Sequence, residues 1–355
     1  MESRVRKALV PWVVVMVVAA GWVSSHQVSA GTPEWRLFRH GASLEVGARV
    51  VAFGERDIWA FGTRRAGEKS FGVTAARWDG DEWRDGGLPA GAGDATVDAG
   101  ASSPSNLWLL GSGEDGARTV VRWDGRRWSA PSRLPAASVQ KLLVLGEVEG
   151  WAFGEQSLHH TEAGWQVAEL PMSVYAAGAR STEDIWVAGT VPDDDSRPLV
   201  GHYDGRKWTV TPLPQVAGAS HWGLSGVTAD ASGVWITANI SDDRAQTTRP
   251  VLIGRSADRW RVEEIAGLAG PWRDTAAALQ DGRGGHWFLG TTDVSGYDPA
   301  PAHRSSAGTW TVRPVGRASG AAEFDTLTAI PGTAKLVASG RVDSTPGLFV
   351  HDTGR

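Results

Sequence analysis

Short apolar stretches that end in glycine recur along the chain, and each is followed by a polar hairpin bounded by tryptophan. Residues 57–62 read DIWAFG and precede WDGDEW at 78–83, and residues 106–111 read NLWLLG and precede WDGRRW at 123–128. The apolar stretches lack polar alternation, so they predict strands that are covered on both faces. Asp-Gly between strand-like segments predicts a tight hairpin, because glycine adopts the positive φ that such a turn needs.

Tryptophan marks two parallel series within this repeat, with intervals of 35 to 52 residues, a period typical of propeller blades. The tryptophans of the apolar stretches are Trp59, Trp108, Trp151, Trp186, Trp235 and Trp287, and Leu336 takes the seventh place in a degenerate copy at 335–340. The tryptophans that close the hairpins are Trp83, Trp128, Trp165, Trp208, Trp260 and Trp310. We expect both series to pack between neighbouring blades, so that truncating one member to alanine costs about 3–5 kcal/mol.

Each repeat predicts four strands, but the last repeat stops before its fourth. The N-terminus offers a replacement, because Trp35 stands 24 residues before Trp59, as Trp83 stands 25 before Trp108. An N-terminal strand that completes the last blade would close the ring and remove its exposed sheet edges. The sequence therefore predicts one all-β domain over residues 31–355, a seven-bladed β-propeller of four-stranded antiparallel blades. A six- or eight-bladed ring is the alternative.

The DIWAFG stretch followed by WDGDEW resembles the repeat of bacterial secreted β-propeller proteins, a broad set distantly similar to Kelch and WD40-like propellers. The resemblance covers essentially all of residues 31–355. It implies the fold but no particular reaction, since propellers host binding, scaffolding and catalysis alike. Blades three and five depart from the Asp-Gly turn, with SLHHTEAGW at 157–165 and SADRW at 256–260, which changes the expected turn geometry only.

Residues 1–30 have the pattern of a secretory signal peptide. Three basic residues precede an apolar stretch over residues 8–23, which only Pro11 interrupts, and Val28-Ser29-Ala30 fits a cleavage site of small residues. We therefore expect a secreted, extracellular protein. The alternative is a protein tethered to the membrane by the same segment left uncleaved, and no other membrane contact is predicted.

The composition narrows the classes of partner. The formal net charge of −5 is mild for 355 residues and carries no clustered basic patch, which argues against a nucleic-acid partner. The chain has no cysteine, so neither disulfides nor a lipid-modified cysteine contributes. We expect a monomer, since a closed propeller leaves no open sheet edge to pair with a second copy.

Two tryptophans and a tyrosine lie off both tryptophan series and form the candidate site. Trp222, Trp272 and Tyr175 each fall where an inner strand is expected to begin, near the mouth of the central channel. Their polar neighbours His221, Arg273 and Asp274 join them as candidate ligand-binding residues. The competing interpretation is that these aromatic side chains plug the channel or pack under a loop.

Loop lengths favour the same face. Connections between second and third strands vary widely, as at 190–198, 239–250 and 291–301, and so do those between fourth and first strands. Both sets emerge at one end of the propeller, and variable loops on a rigid frame commonly carry recognition. We therefore expect this face to bind an extracytoplasmic protein or glycan partner.

No linear motif predicts a catalytic residue, a metal site or a cofactor. The three aspartates at 193–195 lack the spacing of an EF-hand loop, and neighbouring His159 and His160 would point to opposite faces of a strand. A propeller-type lyase or hydrolase is the alternative function, with its site at the channel mouth and His221, Arg273 and Asp274 as first candidates. A structural subunit of an envelope assembly is a further alternative.

Overall fold

The structure is a computed structural model that describes residues 35–40, 46–65, 71–113, 115–245, 247–256, 259–265, 267–268, 270, 278–281, 283–292, 299–312, 322–342 and 345–354. Its strands form seven separate four-stranded antiparallel sheets. Each sheet is one blade of a ring, with its first strand innermost at the central channel. The predicted seven-bladed β-propeller is confirmed.

The strands are numbered along the chain. A single strand, β1 (Arg36–His40), precedes the first complete blade. Blade one contains β2 (Val46–Gly54), β3 (Asp57–Arg65), β4 (Phe71–Trp78) and β5 (Trp83–Asp85). Blade two contains β6 (Ala95–Ser103), β7 (Asn106–Ser112), β8 (Arg118–Trp123) and β9 (Ser132–Arg133). Blade three contains β10 (Val139–Val144), β11 (Gly150–Gly154), β12 (Ser157–Thr161) and β13 (Gly164–Ala168).

The remaining blades follow the same order. Blade four contains β14 (Ser173–Ser181), β15 (Asp184–Val191), β16 (Asp194–Tyr203) and β17 (Trp208–Pro212). Blade five contains β18 (His221–Asp230), β19 (Gly233–Asp242), β20 (Thr247–Ser256) and β21 (Arg259–Glu264). Blade six contains β22 (Leu279–Gln280), β23 (His286–Thr291), β24 (Pro299–Arg304) and β25 (Trp310–Val312). Blade seven contains β26 (Ala322–Ala329), β27 (Lys335–Val342) and β28 (Thr345–Asp352), with β1 as its outermost strand.

The N-terminal strand closes the ring, as the repeat spacing predicts. Strand β1 pairs antiparallel with β28, from Arg36 opposite Val350 to His40 opposite Gly347. Its side chains reach both neighbouring blades, because successive residues of a strand point to opposite faces. Leu37 packs with the cluster around Trp287 of blade six, whereas Phe38 packs with the first blade. The first segment of the chain therefore joins the last blade to its neighbours on both sides.

The tryptophans of the two series meet at the blade interfaces. At four interfaces, a buried tryptophan of the second strand packs nearly edge-on against the hairpin-closing tryptophan of the next blade. The ring centroids lie 5.5 Å apart for Trp59 and Trp128, 5.7 Å for Trp108 and Trp165, 5.4 Å for Trp151 and Trp208, and 6.1 Å for Trp186 and Trp260. Edge-to-face packing of this kind is favoured over a face-to-face sandwich by the quadrupoles of the rings.

A cation or histidine on the third strand covers the other side of several of these tryptophans. His202 stacks on Trp186 with centroids 4.0 Å apart and hydrogen bonds to Asp184 at 3.0 Å. His303 contacts Trp287 at 4.6 Å and bonds to Asp281 in the same way, at 2.8 Å. His159 stacks on Trp151, and arginines take this place over Trp59 and Trp108. These histidines therefore belong to the repeat.

The strands depart locally from the simplest form of the repeat. The fourth strand of blade two does not begin at Trp128, which makes only an isolated bridge to Trp123 before the short strand β9. At 190–198, Thr190 pairs with Pro198 and Val191 pairs with Asp194, so that residues 195–197 bulge out of the ladder and residues 192 and 193 form the turn. Asp193 completes this turn with a φ of 61°, a conformation that aspartate tolerates better than most residues. Strands β19 and β20 instead stay in register, from Asn239 opposite Pro250 to Asp242 opposite Thr247, and so shorten the connection at 239–250.

The glycine that ends the second strand is required by a close backbone approach. A Cβ added at Gly189 would fall on the carbonyl oxygen of Ser173, at the start of the neighbouring inner strand, well inside van der Waals contact. The same conflict with a carbonyl oxygen recurs at the equivalent positions Gly111, Gly154 and Gly340. The repeat keeps glycine here because the inner strand begins directly against it.

This approach predicts a large difference between two glycine substitutions. We expect Gly189→Ala to lower the free energy of unfolding by about 1–3 kcal/mol, because the inner strand must shift to admit the methyl group. Gly72→Ala is the matched control, since a Cβ there meets nothing within 4 Å. Chemical denaturation followed by circular dichroism measures both. Equal stability of the two variants would show that the approach at Gly189 relaxes without cost.

Candidate functional site

The central channel is lined by the inner strands of the blades. A cavity of about 190 Å³ lies within it, between residues of β2, β6, β10, β14, β18 and β26. Its polar side chains come from the first three blades and from blades five and seven, and they are Arg49, Asp98, Lys141, Ser225, Thr326 and Thr328. Small residues, among them Ala176 and Gly226, complete the wall.

A larger cavity of about 670 Å³ opens where the inner strands begin, and we call it the channel mouth. It lies on the face that carries the connections from second to third and from fourth to first strands. Its polar and charged lining comes from blades one to four: Arg49, Thr96, Arg118, Ser138, Gln140, Lys141, Glu155, Tyr175 and Asp195. Arg49 and Lys141 line both cavities, so they lie where the mouth narrows into the channel.

The three cations of the channel mouth differ in the groups that they contact. Arg49 Nε lies 3.4 Å from Asp98 Oδ1, and Asp98 Oδ2 accepts a hydrogen bond of 2.8 Å from the backbone N–H of Leu142. These contacts join three successive blades around the channel. Arg118 donates to neutral groups, the carbonyl oxygen of Val139 at 2.9 Å and the hydroxyl of Ser112 at 2.7 Å. Lys141 is half-buried, and no described carboxylate lies within 4 Å of its ammonium group.

The two described aromatic candidates both line the channel mouth. Trp222 is the second residue of β18, and its side chain is only 3% exposed, packed in the core cluster of blades four and five. Its indole Nε1 has no hydrogen-bond partner among the described residues. Tyr175 lies in β14 and is half-buried, and its hydroxyl lies 3.5 Å from that of Thr190. The mouth therefore exposes part of Tyr175 and hides the indole ring of Trp222.

His221 lies beside the channel mouth and ties together the outer ends of two blades. Its Nδ1 lies 2.8 Å from Asp195 Oδ1 on blade four, and its Nε2 lies 3.1 Å from Asp243 Oδ2 on blade five. Hydrogen bonding to Asp195, together with the negative charges of both aspartates, raises the pKa of His221. Both ring nitrogens are therefore engaged, and the protonated imidazolium suits this position best.

The remaining candidates, Trp272, Arg273 and Asp274, lie outside the described residues. The described residues contain no group of three or more histidine, aspartate or glutamate side chains placed to hold a metal ion. Within the same ranges, no helix is long and apolar enough to cross a membrane.

A second histidine–carboxylate pair is buried far from solvent and belongs to the frame. His286 Nε2 of blade six lies 2.6 Å from Asp230 Oδ2 of blade five, and both side chains are less than a tenth exposed. Burial raises the pKa of Asp230, but hydrogen bonds from Ser232 and His286 outweigh it, so that the pKa is lowered overall. The pair therefore joins two blades as a buried, hydrogen-bonded contact.

A fixed spacing in the sequence locates residues that line the channel, which the off-series aromatics do not locate. A residue that lines the channel stands ten positions before the second-strand tryptophan, as Arg49 before Trp59 and Lys141 before Trp151. The same offset, counted from Leu336 in blade seven, gives one channel-lining residue on each of six described inner strands: Arg49, Asp98, Lys141, Ala176, Ser225 and Thr326. The repeat register therefore locates the channel lining directly.

No protein-family model and no curated protein sequence matches the chain, whereas many solved structures do. A structure of YCF48 bound to D1 peptide is similar with a TM-score of 0.61 and 12% identity, over 92% of this chain and 98% of that one. The SapL1 lectin in complex with alpha methyl fucoside is similar with a TM-score of 0.52 and 15% identity, over 79% of this chain and 100% of that one.

A puromycin-hydrolyzing peptidase of Mycobacterium tuberculosis is similar with a TM-score of 0.59 and 15% identity. That match covers 93% of this chain but only 55% of the peptidase chain. At such identities, all three similarities show the propeller fold and nothing about a shared site.

Proposed function

We propose that the protein is a secreted binding protein that holds an extended polypeptide segment over its channel mouth. The observation that carries this proposal is the cavity of about 670 Å³ on the loop-bearing face, lined by polar and charged side chains of four blades. A cavity of this size is within the range of ligand sites, and a frame of packed blades holds its lining in place. The signal-like residues 1–30 support an extracellular location.

The lining of the mouth favours a peptide over a sugar. Sugar rings commonly stack on an exposed aromatic face, but the ring of Trp222 is buried and only part of Tyr175 is exposed. The mouth offers instead separate cations, carboxylates, hydroxyls and an amide, which suit the alternating polar groups of a polypeptide. Propellers of similar fold bind a peptide in one case and a fucoside in another, so the fold itself accommodates either ligand.

A role in binding without turnover also fits the geometry of His221. Both of its ring nitrogens lie against carboxylates, so neither is free to take a proton from a substrate. This arrangement holds two loops together and lends rigidity to the rim of the channel mouth. The hydrolase or lyase alternative would need a proton acceptor elsewhere on this face.

A peptide selection with a blocked mouth tests the proposal. Random peptides are selected on the protein that begins at residue 31, and their affinities are compared with those for Gly223→Trp, which fills the mouth. A Cβ at Gly223 meets only Asn239, at ordinary contact distance, so the backbone there admits a side chain. We expect at least a tenfold loss of affinity, because the indole ring occupies the space of the ligand.

Ala163→Trp is the matched control, since this exposed turn residue lies at the opposite face of the propeller. Its affinity for the selected peptides should equal that of the unmodified protein. Equal binding by all three proteins would place the peptide site elsewhere and contradict the proposal. Retention on a glycan array without any selected peptide would favour the sugar ligand instead.

A further inference from the structure

The ring of side chains that faces the channel is strongly asymmetric. At the position ten residues before each second-strand tryptophan, the first three blades carry charged residues, Arg49, Asp98 and Lys141. Blades four, five and seven carry Ala176, Ser225 and Thr326 at this position. In blade seven the ten residues are counted from Leu336, which replaces the tryptophan. The described part of the channel therefore has one charged wall and one small, neutral wall.

The acidic groups near this wall are largely engaged. The Asp98 carboxylate forms an ion pair with Arg49 and accepts a hydrogen bond from the backbone N–H of Leu142. Asp195 is held by His221, whose raised pKa favours the positively charged ring. Of the carboxylates that line the channel mouth, only Glu155 remains without such a contact, and it is exposed at the turn between β11 and β12.

The cations are less well compensated. Arg118 donates only to neutral oxygens, and Lys141 has no described carboxylate within 4 Å, although its side chain is half-buried. Lys141 lines both the channel mouth and the channel cavity, so its ammonium group can donate a charge-assisted hydrogen bond to a carboxylate that enters the mouth. Exposed Glu155 offsets this positive potential only partly, since water screens it.

We propose that the channel mouth binds a carboxylate group of the ligand, with Lys141 as its direct hydrogen-bond donor. Arg49 and Arg118, on the two preceding blades, contribute positive potential from the same lining. This inference rests on the proposed function and specifies its ligand as an acidic peptide. The carboxylate belongs either to an aspartate or glutamate side chain or to the free C-terminus of the peptide. A phosphate fits less well, because Arg118 already donates through Nε and Nη1 and Arg49 Nε faces Asp98, which leaves neither guanidinium its full fork for a bidentate contact.

Labelled peptides of fixed composition test this assignment by fluorescence anisotropy at low salt. Four decapeptides of glycine and serine are compared: one amidated, one with a free C-terminus, one amidated with three glutamates, and one amidated with three lysines. We expect at least one of the two carboxylate-bearing peptides to bind ten times more tightly than the neutral amidated peptide. The stronger of these two identifies the source of the carboxylate.

Variants of two lysines then locate the site. Lys141→Met is expected to weaken binding of the preferred peptide at least tenfold, whereas Lys207→Met, which removes the same charge from the opposite face, should leave it unchanged. Lys141→Gln serves as a second variant if the methionine variant is poorly folded. Glu155→Gln should tighten binding two- to threefold, because it removes the remaining competing charge.

Several results would overturn the carboxylate site. One is that the neutral or the lysine peptide binds as tightly as the carboxylate-bearing peptides, and another is that neither carboxylate-bearing peptide binds. The others are that the Lys141 variants keep the affinity of the unmodified protein, and that inorganic phosphate competes more strongly than acetate. The proposed function fails separately, when Gly223→Trp leaves the affinity of selected peptides unchanged. If Gly223→Trp blocks those peptides while Lys141→Met does not, the peptide site stands and the carboxylate assignment falls.

Discussion

Removing the N-terminal strand is expected to abolish the cooperative fold. A chain that begins at residue 31 but lacks residues 32–40 loses all of β1, and with it the outer edge of blade seven. One residue of this strand, Phe38, packs against both Trp78 and Trp83 of blade one, with ring centroids 5.2 Å away in each case. Truncating such a buried aromatic residue costs about 3–5 kcal/mol, a large share of the roughly 5–15 kcal/mol that stabilises a typical domain.

The strand has further contacts that the deletion would remove. Trp35, just before β1, stacks on His351 with centroids 4.9 Å apart, and β28 would become an unpaired sheet edge open to association. We therefore expect aggregation in size-exclusion chromatography or a broad, low-temperature thermal transition. Phe38→Ala should reproduce much of the loss in stability, whereas Arg36→Ala, on the exposed side of the same strand, should melt as the intact chain does. An unchanged transition in the deletion variant would disprove closure by β1.

The second large effect is expected for Trp108→Ala. Trp108 is fully buried, and its ring packs edge-on against His160 and Trp165 of blade three. Its Nε1–H donates to Asn106 Oδ1 at 2.7 Å, and Asn106 in turn donates to the carbonyl oxygen of Gly146 at 2.6 Å. The substitution leaves a cavity at the interface of two blades and an amide oxygen without its donor. We expect a loss of about 3–5 kcal/mol in the free energy of unfolding.

Urea denaturation followed by circular dichroism measures this loss without relying on tryptophan fluorescence. Phe71→Ala is the control, because this aromatic side chain is half-exposed and its removal should change stability by no more than about 0.5 kcal/mol. Trp108→Phe should fall between the two, since it keeps most of the buried area and loses only the donor. If Trp108→Ala were as stable as the Phe71 variant, the blade interface would not depend on this series of tryptophans.

The candidate site was only partly accessible from the sequence. Of the off-series aromatics, Tyr175 and Trp222 line the channel mouth. They did not point to Arg49 or Lys141, because a cation in an inner strand has no local signature. Its meaning depends on its offset from a tryptophan in the next strand, which only the register of the repeat reveals.

Loop lengths were the weaker guide. The connection at 239–250 is polar in sequence, but β19 and β20 continue in register from Asn239 opposite Pro250 to Asp242 opposite Thr247. Such extension depends on backbone pairing, which polar side chains such as those of Asp242 and Thr247 do not prevent at a solvent-exposed strand end. Polarity in sequence therefore marked exposure rather than the end of the strands.

By itself, the sequence determined the number of blades, the order of strands within each blade and the use of the N-terminal segment to complete the last one. These properties follow from local patterns that repeat: covered strands, glycine turns and tryptophans at a fixed period. The tertiary structure decided which inner-strand residues face one another across the channel and which of their charges are compensated. Arg49, Asp98 and Lys141 lie more than forty residues apart in sequence, and the packing of three successive blades around the channel brings them to one wall.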